Sequence, residues 1–244
     1  MDASPRLSSL CVEPESPTTD TEPPALELID VFKIFNAGST ETVALRGLSL
    51  EVKPGEIVAV VGPSGSGKST MLSVAAAMDV PSAGEVRVHG RSLARLDEVE
   101  LARLRAQELA VVFQSDNLWP TLTARENVAA CVRLAGLDRD PRDAADEALA
   151  IFGLEPRARH TPDRLSGGEQ QRVAIAAAAA RRPRIVLADE PTGELDAANE
   201  GIVLDTLRML RDAYQSAVVV VTHSPRVAAA CDRVVELTDG RAVR

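Results

Sequence analysis

Several features common in other protein classes are missing from this sequence. Its three cysteines, Cys11, Cys131 and Cys231, are odd in number and far apart. They make neither a disulfide framework nor a metal-binding spacing, so buried or idle thiols in a reducing compartment are expected. No apolar run approaches the roughly 20 residues of a membrane-spanning helix, so any membrane connection is expected to come through another chain. The N-terminus lacks the basic-then-apolar pattern of a secretory signal. Positive charge is in deficit: 27 Lys and Arg stand against 36 Asp and Glu, for a net charge of −9. The surface as a whole therefore does not attract nucleic acid. There is no internal repeat and no heptad run. What is present is a chain of 244 residues, 45% of them hydrophobic, enough for one sizeable core or a core with a smaller lobe.

The stretch that organises the rest is Gly62-Pro63-Ser64-Gly65-Ser66-Gly67-Lys68-Ser69. It follows the apolar run Ile57–Val61 and precedes a helix-forming segment that begins at Thr70. A loop between a buried strand and a helix is the setting a P-loop requires. A polyphosphate needs many donors at close range, so the backbone must curl and present its N–H groups. Gly62, Gly65 and Gly67 permit that curl because they lack a Cβ. The helix start adds free N–H groups and the positive end of its dipole. Lys68 brings a full charge to the β- and γ-phosphates, and the Ser69 hydroxyl can ligate Mg²⁺. The competing reading is a glycine turn that binds nothing, and the pieces downstream argue against it.

Residues 1–24 are rich in Pro, Ser, Thr, Asp and Glu and read as a disordered tail. Cys11 lacks the apolar stretch of a lipid-attachment site. Strands are expected over 26–35, 43–52, 57–61, 85–88, 109–113, 185–188, 217–221 and 234–237. Phe35 precedes a glycine-containing loop and can either stack on an adenine ring or fill a core. His89, in a turn, reads as a surface residue. Residues 93–106 carry charges on a helical period and read as one solvated helix. The loop after Gln114 holds the only tryptophan, Trp119, either as core or as a docking surface for another chain. Thr123 and Glu126 form a capping box for a helix from about Ala124. Residues 124–160 read as a smaller helical lobe, broken at Gly136 and Pro141. Leu165-Ser166-Gly167-Gly168-Glu169-Gln170 then opens a helix through Ala180. Ser166 is the N-cap, and the start is a second anion-binding terminus or an ordinary loop–helix junction.

The strand 185–188 ends in Asp189-Glu190. An aspartate at a strand tip beside a P-loop is where Mg²⁺ is held, and the adjacent glutamate can polarise an attacking water. His223 ends another apolar strand and either bridges a water or a γ-phosphate or is structural. Strands alternating with helices imply a parallel sheet covered on both faces.

With these pieces in this order, the chain resembles the ATP-binding cassette (ABC) ATPases over residues 26–244. Its most specific motif is LSGGEQ. The resemblance implies an α/β fold: a P-loop NTPase (RecA-like) parallel-sheet core, an antiparallel β subdomain, and a helical lobe at about 115–167 within an ATPase domain spanning 25–244. It implies ATP and Mg²⁺ as cofactors. By position, Phe35 matches the adenine-stacking aromatic, and Gly62, Pro63, Ser64, Gly65, Ser66, Gly67, Lys68, Ser69 and Thr70 the phosphate loop. Gln114 matches the glutamine that reaches Mg²⁺ and the attacking water. Ser166, Gly167 and Gly168 match the turn that contacts γ-phosphate across a dimer. Asp189 matches the Mg²⁺ aspartate, Glu190 the catalytic glutamate, Asp196 a dimer-contact aspartate and His223 the switch histidine. The sequence departs from the family at Ala177, commonly Arg, at Ser224, commonly Asp, and at Glu194.

The expected partners are a second copy in a head-to-tail ATP sandwich and a separate transmembrane permease subunit, with no nucleic acid. The expected place is the cytoplasmic face of the membrane, through the permease. The run RLSGGEQQRVAIA is similar to the branch that serves lipoprotein release and macrolide export. The alternatives are an ABC ATPase that regulates a membrane partner without transport, and a soluble one acting on DNA or ribosomes.

Overall fold

Continuous β-branched runs decide the centre of the fold. A computed structural model describes residues 23–37, 40–193 and 197–243. The expected tail therefore lies, up to residue 22, outside the described residues. Strands β3 (Ile57–Val61), β7 (Ile185–Asp189) and β8 (Ala217–Val221) are almost wholly buried, as strands of a parallel sheet covered on both faces must be. With β6 (Leu109–Val112) and β9 (Arg233–Thr238) they run parallel in the order β9-β3-β8-β7-β6. A short β10 (Arg241–Ala242) extends the sheet antiparallel beyond β9.

The two faces of this sheet bury different partners. Val58, Val60, Leu187, Val219 and Val221 point into one core cluster, and Val186, Val218 and Val220 into another. That is the period-2 alternation of a strand. The first cluster is closed by α1 (Lys68–Ala75) and by a second sheet. This second sheet is antiparallel, with order β2-β1-β4-β5. Its strands are β1 (Leu26–Ala37), β2 (Thr40–Val52), β4 (Ala83–Val88) and β5 (Arg91–Ser92). The opposite cluster is closed by α5 (Gly167–Ala180), α6 (Ala197–Tyr214) and α7 (Pro225–Ala229). The α/β class, the parallel core and the antiparallel subdomain are as the resemblance implies.

A third cluster belongs to α3 (Ala124–Ala135) and α4 (Pro141–Ile151). Helix α5 serves both sides. Its Ala174, Ile175, Ala178 and Ala179 pack on the sheet, while Val173, Ala176, Ala177 and Ala180 pack on α3 and α4. A helix buried all round has no solvent stripe to keep polar, and its run of alanines also carries the highest helix propensity.

The ends of the lobe helices follow their caps. Thr123 and Glu126 form the expected capping box, Gly136 ends α3 in the left-handed region, and Asp140 caps α4 with Pro141 at its first position. The expected single helix over 93–106 is instead a 3₁₀ turn at Leu93–Arg95 followed by α2 (Glu98–Gln107). Asp97 accounts for the difference. Its side chain accepts from the Glu100 N–H while Glu100 accepts from the Asp97 N–H, and this reciprocal cap starts a new helix.

Burial predicts where truncation costs most. Leu187 is wholly buried in the central sheet, whereas Leu134 is 70% exposed on α3. Leu187→Ala is expected to cost roughly 2–5 kcal/mol, and Leu134→Ala no more than about 0.5 kcal/mol. Denaturant midpoints at unchanged slope measure both.

Candidate active site

The parallel register delivers the polar residues to one edge. Val60 pairs with Val221, and Val221 with Asp189. Gly62 and His223, two residues on, and Glu190, one residue on, therefore leave their strands together at the carboxyl end of the sheet. That is where α/β sheets bind ligands.

The loop between β3 and α1 is pinned from behind. Gly240 N–H donates to the Ser66 carbonyl at 3.0 Å, and Arg46 N–H to the Gly240 carbonyl at 2.8 Å. A Cβ on Gly62 would lie 2.1 Å from the Leu237 carbonyl oxygen, and one on Gly67 would lie 2.5 Å from that of Ala44. Neither position has room for a side chain, and the φ of 104° at Gly67 favours glycine as well. Lys68 Nζ donates to the carbonyls of Gly62 and Pro63 at 2.8 and 2.9 Å, which places its charge inside the curl. No side chain caps the start of α1, so its first N–H groups are available to an anion. Pro63, Ser64, Gly65 and Ser69 are exposed, Thr70 is half-buried, and the buried Ser66 Oγ has no hydrogen-bond partner among the described residues.

Asp189 stands beside the Ser69 hydroxyl and the Lys68 charge, both of which favour its ionised form. Burial pushes the Asp189 carboxyl above the usual aspartate range, opposed by the Ser69 hydroxyl; the Glu190 charge raises it further and Lys68 lowers it. Glu190 sits at φ 45°, in the left-handed region. Its N–H donates to the Val221 carbonyl at 2.9 Å, and its carbonyl accepts from Gly193 N–H at 3.0 Å. Glu190 Oε2 accepts from the His223 backbone N–H at 3.3 Å and lies 2.9 Å from His223 Nδ1. The His223 side chain is otherwise largely exposed.

Gln114 approaches the same edge through Gly193, whose added Cβ would also lie 3.4 Å from the Glu190 carbonyl oxygen. It lies against Gly193, where an added Cβ would come 3.2 Å from its Nε2. Gln114 and Gly193 share the wall of a cavity of about 140 Å³ with Asn117, Gly167, Gln171 and Pro191. Ser69, Asp189 and Gln114 offer hard oxygen donors of the kind that Mg²⁺ takes alongside phosphate oxygens and water. Among the described residues no group of three His, Cys, Asp or Glu could hold a metal ion. The donor set therefore fits an ion that arrives with a polyphosphate.

Gly167, between Ser166 and Gly168, lines that cavity, and no hydrogen bond joins the three to Lys68 among the described residues. The Ser166 side chain accepts from Glu169 N–H, and Glu169 accepts from Ser166 N–H at 2.9 Å. Arg157 donates to Glu169 at 2.7 Å and, with the Ser166 N–H, holds that carboxyl below the usual glutamate range.

Phe35 is 43% exposed. It pairs with Thr42, two residues from the Ala44 carbonyl that crowds Gly67, so it stands near the phosphate loop. The Lys33 ammonium lies 5.0 Å from its ring centroid. Trp119 is 44% exposed. Asp196 and Glu194 lie outside the described residues. Ser224 does the capping that an aspartate could do: it accepts from Val227 N–H and donates to Glu200 at 2.5 Å. Ala177 is buried between α5 and the lobe.

Sequence reading missed three buried or half-buried amides. Asn127 accepts from Trp119 N–H at 2.7 Å and donates to the carbonyls of Trp119, Leu122 and Thr123. Asn117 and Gln171 both bond the backbone of Phe113. Only Asn127 left a trace, as a polar residue on the apolar face of a capped helix.

Comparison with known proteins finds close likenesses. A family model described as ABC transporter matches residues 45–193. The macrolide export ATP-binding/permease protein MacB of Shigella flexneri is 44% identical over 222 residues, covering 91% of this chain and 34% of the relative. The chain thus spans about a third of the length of such relatives. An uncharacterized ABC transporter ATP-binding protein of Thermotoga maritima is 43% identical over 217 residues, covering 88% of this chain and 92% of that one. The dimeric structure of a post-hydrolysis state of the ATP-binding cassette MJ0796, bound to ADP and Pi, superposes with a TM-score of 0.82. It is 40% identical and covers 90% of this chain and 97% of that one.

The position of Asp189 gives a pH prediction. Its raised pKa means that the folded chain holds the proton more tightly than the unfolded chain. The carboxyl's contribution to stability is present below the ordinary aspartate value of about 3.9 and is lost as pH rises through the raised folded value. In ligand-free protein, Asp189→Asn is expected to raise the melting temperature at pH 7, and the gain to vanish below about pH 4. Calorimetry across that range checks both.

Proposed function

The chain belongs to the ABC transporter family, and from that premise we propose that it powers an export-type transporter as a head-to-tail homodimer docked on a separate permease. The cassette is an ATPase. The observation that carries the rest is the shared edge of β3, β7 and β8, where Lys68, Asp189, Glu190 and His223 converge.

Phe35 offers its exposed ring to the adenine. The phosphate loop, from Gly62 to Thr70, holds the triphosphate by backbone N–H groups, and Lys68 offsets charge on the β- and γ-phosphates. Ser69, Asp189 and Gln114 would hold Mg²⁺, which supplies charge neutralisation to the phosphates there. Glu190 orients a water and accepts its proton as the water oxygen bonds the γ-phosphorus. The bond between that phosphorus and the bridging oxygen breaks, and ADP leaves with the electron pair. His223, hydrogen-bonded to Glu190, fixes the carboxylate in place.

Ser166, Gly167 and Gly168 complete the site from the second copy, where a helix start faces the γ-phosphate. Among the described residues no hydrogen bond joins them to Lys68 within one chain, which supports that role, as does the dimeric state of the MJ0796 cassette. Hydrolysis removes the bridging phosphate and the dimer reopens. The exposed Trp119 loop passes the movement to the permease. A permease as partner is supported by the ATP-binding/permease composition of the MacB relatives. The protein then sits at the cytoplasmic membrane face. The acidic net charge of −9 argues against nucleic acid as a partner. Residues 25–244 form the ATPase domain, with the helical lobe at about 115–167.

Glu190→Gln tests the reading. Turnover is expected to fall by roughly 10²–10⁴-fold while ATP binding persists. Light scattering is expected to show a dimer with Mg-ATP and a monomer without it. A monomer under both conditions would contradict the mechanism.

A further inference from the structure

Gln171 is a buried polar side chain, 6% exposed, on the helix that begins with the Ser166-Gly167-Gly168 turn. Its Nε2 donates to the Phe113 carbonyl at 3.0 Å, and its Oε1 accepts from Asn117 Nδ2 at 3.3 Å. Asn117 in turn accepts from Phe113 N–H at 2.8 Å and donates to the Phe113 carbonyl at 2.7 Å. Both backbone groups of Phe113, freed where β6 ends, are thus taken up by two amides. Phe113 immediately precedes Gln114.

The far end of the same loop is tied to the lobe as well. Asn127, on α3, holds Trp119, Leu122 and Thr123, and α3 packs on α5. Residues 113–123 are therefore held from α5 at one end and from α3 of the lobe at the other. A helix is stiff over the four residues, about 6 Å, that separate Gly167 from Gln171. A displacement of the turn at Ser166 must carry Gln171, and through it Phe113 and Gln114.

We propose that Gln171 and Asn117 are positioning residues. They form a relay through which engagement of the Ser166-Gly167-Gly168 turn sets Gln114 at the other ATP site, the one on their own chain. The proposal rests on the two-copy ATPase reading above. The hydrogen bonds of both amides go to Phe113 and to each other, not to the phosphate loop, so the relay acts on the chemical step and not on ATP binding.

Gln171→Met keeps the side-chain length and removes both hydrogen bonds; Asn117→Ala breaks the other half of the relay. Each is expected to lower kcat about ten- to a hundredfold, as for misplacement of a reacting group by about an ångström. The Kd for a fluorescent ATP analogue stays unchanged, and so does Mg-ATP-driven dimerisation in the Glu190→Gln background. The double variant is expected to lose no more than the worse single one, because one shared link is broken. An unchanged kcat in a folded variant overturns the relay. So do strictly additive losses, or a fall in kcat matched by lost dimerisation or by a lower folded fraction. If Gln171→Met does not fold, Asn117→Ala alone decides by the same split between kcat and Kd. If Glu190→Gln by itself stays monomeric with Mg-ATP, the two-copy reading fails and takes the relay with it.

Discussion

Between β3 and α1 the chain passes so close to Leu237 and Ala44 that Gly62 and Gly67 have no space for a Cβ. That crowding turns the backbone inward around Lys68, whose ammonium rests on two loop carbonyls. Curl and charge together make a site for a polyphosphate. They require a rigid backing, which the buried parallel sheet and the Gly240 contact to Ser66 provide. The antiparallel sheet contributes from the side by presenting Ala44 and, two residues from its level, the exposed Phe35 ring. Much of the architecture outside the helical lobe serves to hold this one loop.

The second cost is electrostatic. Asp189 and Glu190 bring neighbouring carboxylates to a partly buried edge, and burial together with their mutual repulsion drives Asp189 towards its neutral form. Lys68 and the Ser69 hydroxyl offset part of that penalty. Glu190 also holds a left-handed backbone, a conformation that costs on the order of 1–3 kcal/mol and persists where surrounding bonds enforce it. The N–H to Val221 and the carbonyl to Gly193 are those bonds. Stability is given up where charge and geometry serve the reaction.

Local chemistry was the legible part of this sequence. The apolar runs at β3, β7 and β8, the Thr123 and Ser166 caps and the phosphate loop each announce themselves within a few residues, because hydrophobic period and capping are short-range effects. Asp97 hid because its cap competes with a charge pattern that reads as one longer helix. Phe35 and Trp119 could not be assigned to core or surface until the sheet and lobe around them were in place; both are exposed. Asn117, Asn127 and Gln171 were invisible for a further reason. Their partners are backbone groups of a loop whose path depends on tertiary packing. The departures at Ala177 and Ser224 proved local. Ala177 is absorbed into the packing of α5 on the lobe, and one turn on Arg181 donates to the carbonyls of Ala106 and Leu109.

Among the described residues the Ser166 turn and the Lys68 loop of one chain share no hydrogen bond, so enclosing one triphosphate calls for two copies. A structure of the Glu190→Gln protein trapped with Mg-ATP tests this directly. Each γ-phosphate is expected to lie within hydrogen-bond reach, about 3.2 Å, of Lys68 from one copy and of the Ser166–Gly168 turn from the other. Two copies whose Ser166 turns face away from the bound nucleotides would contradict it.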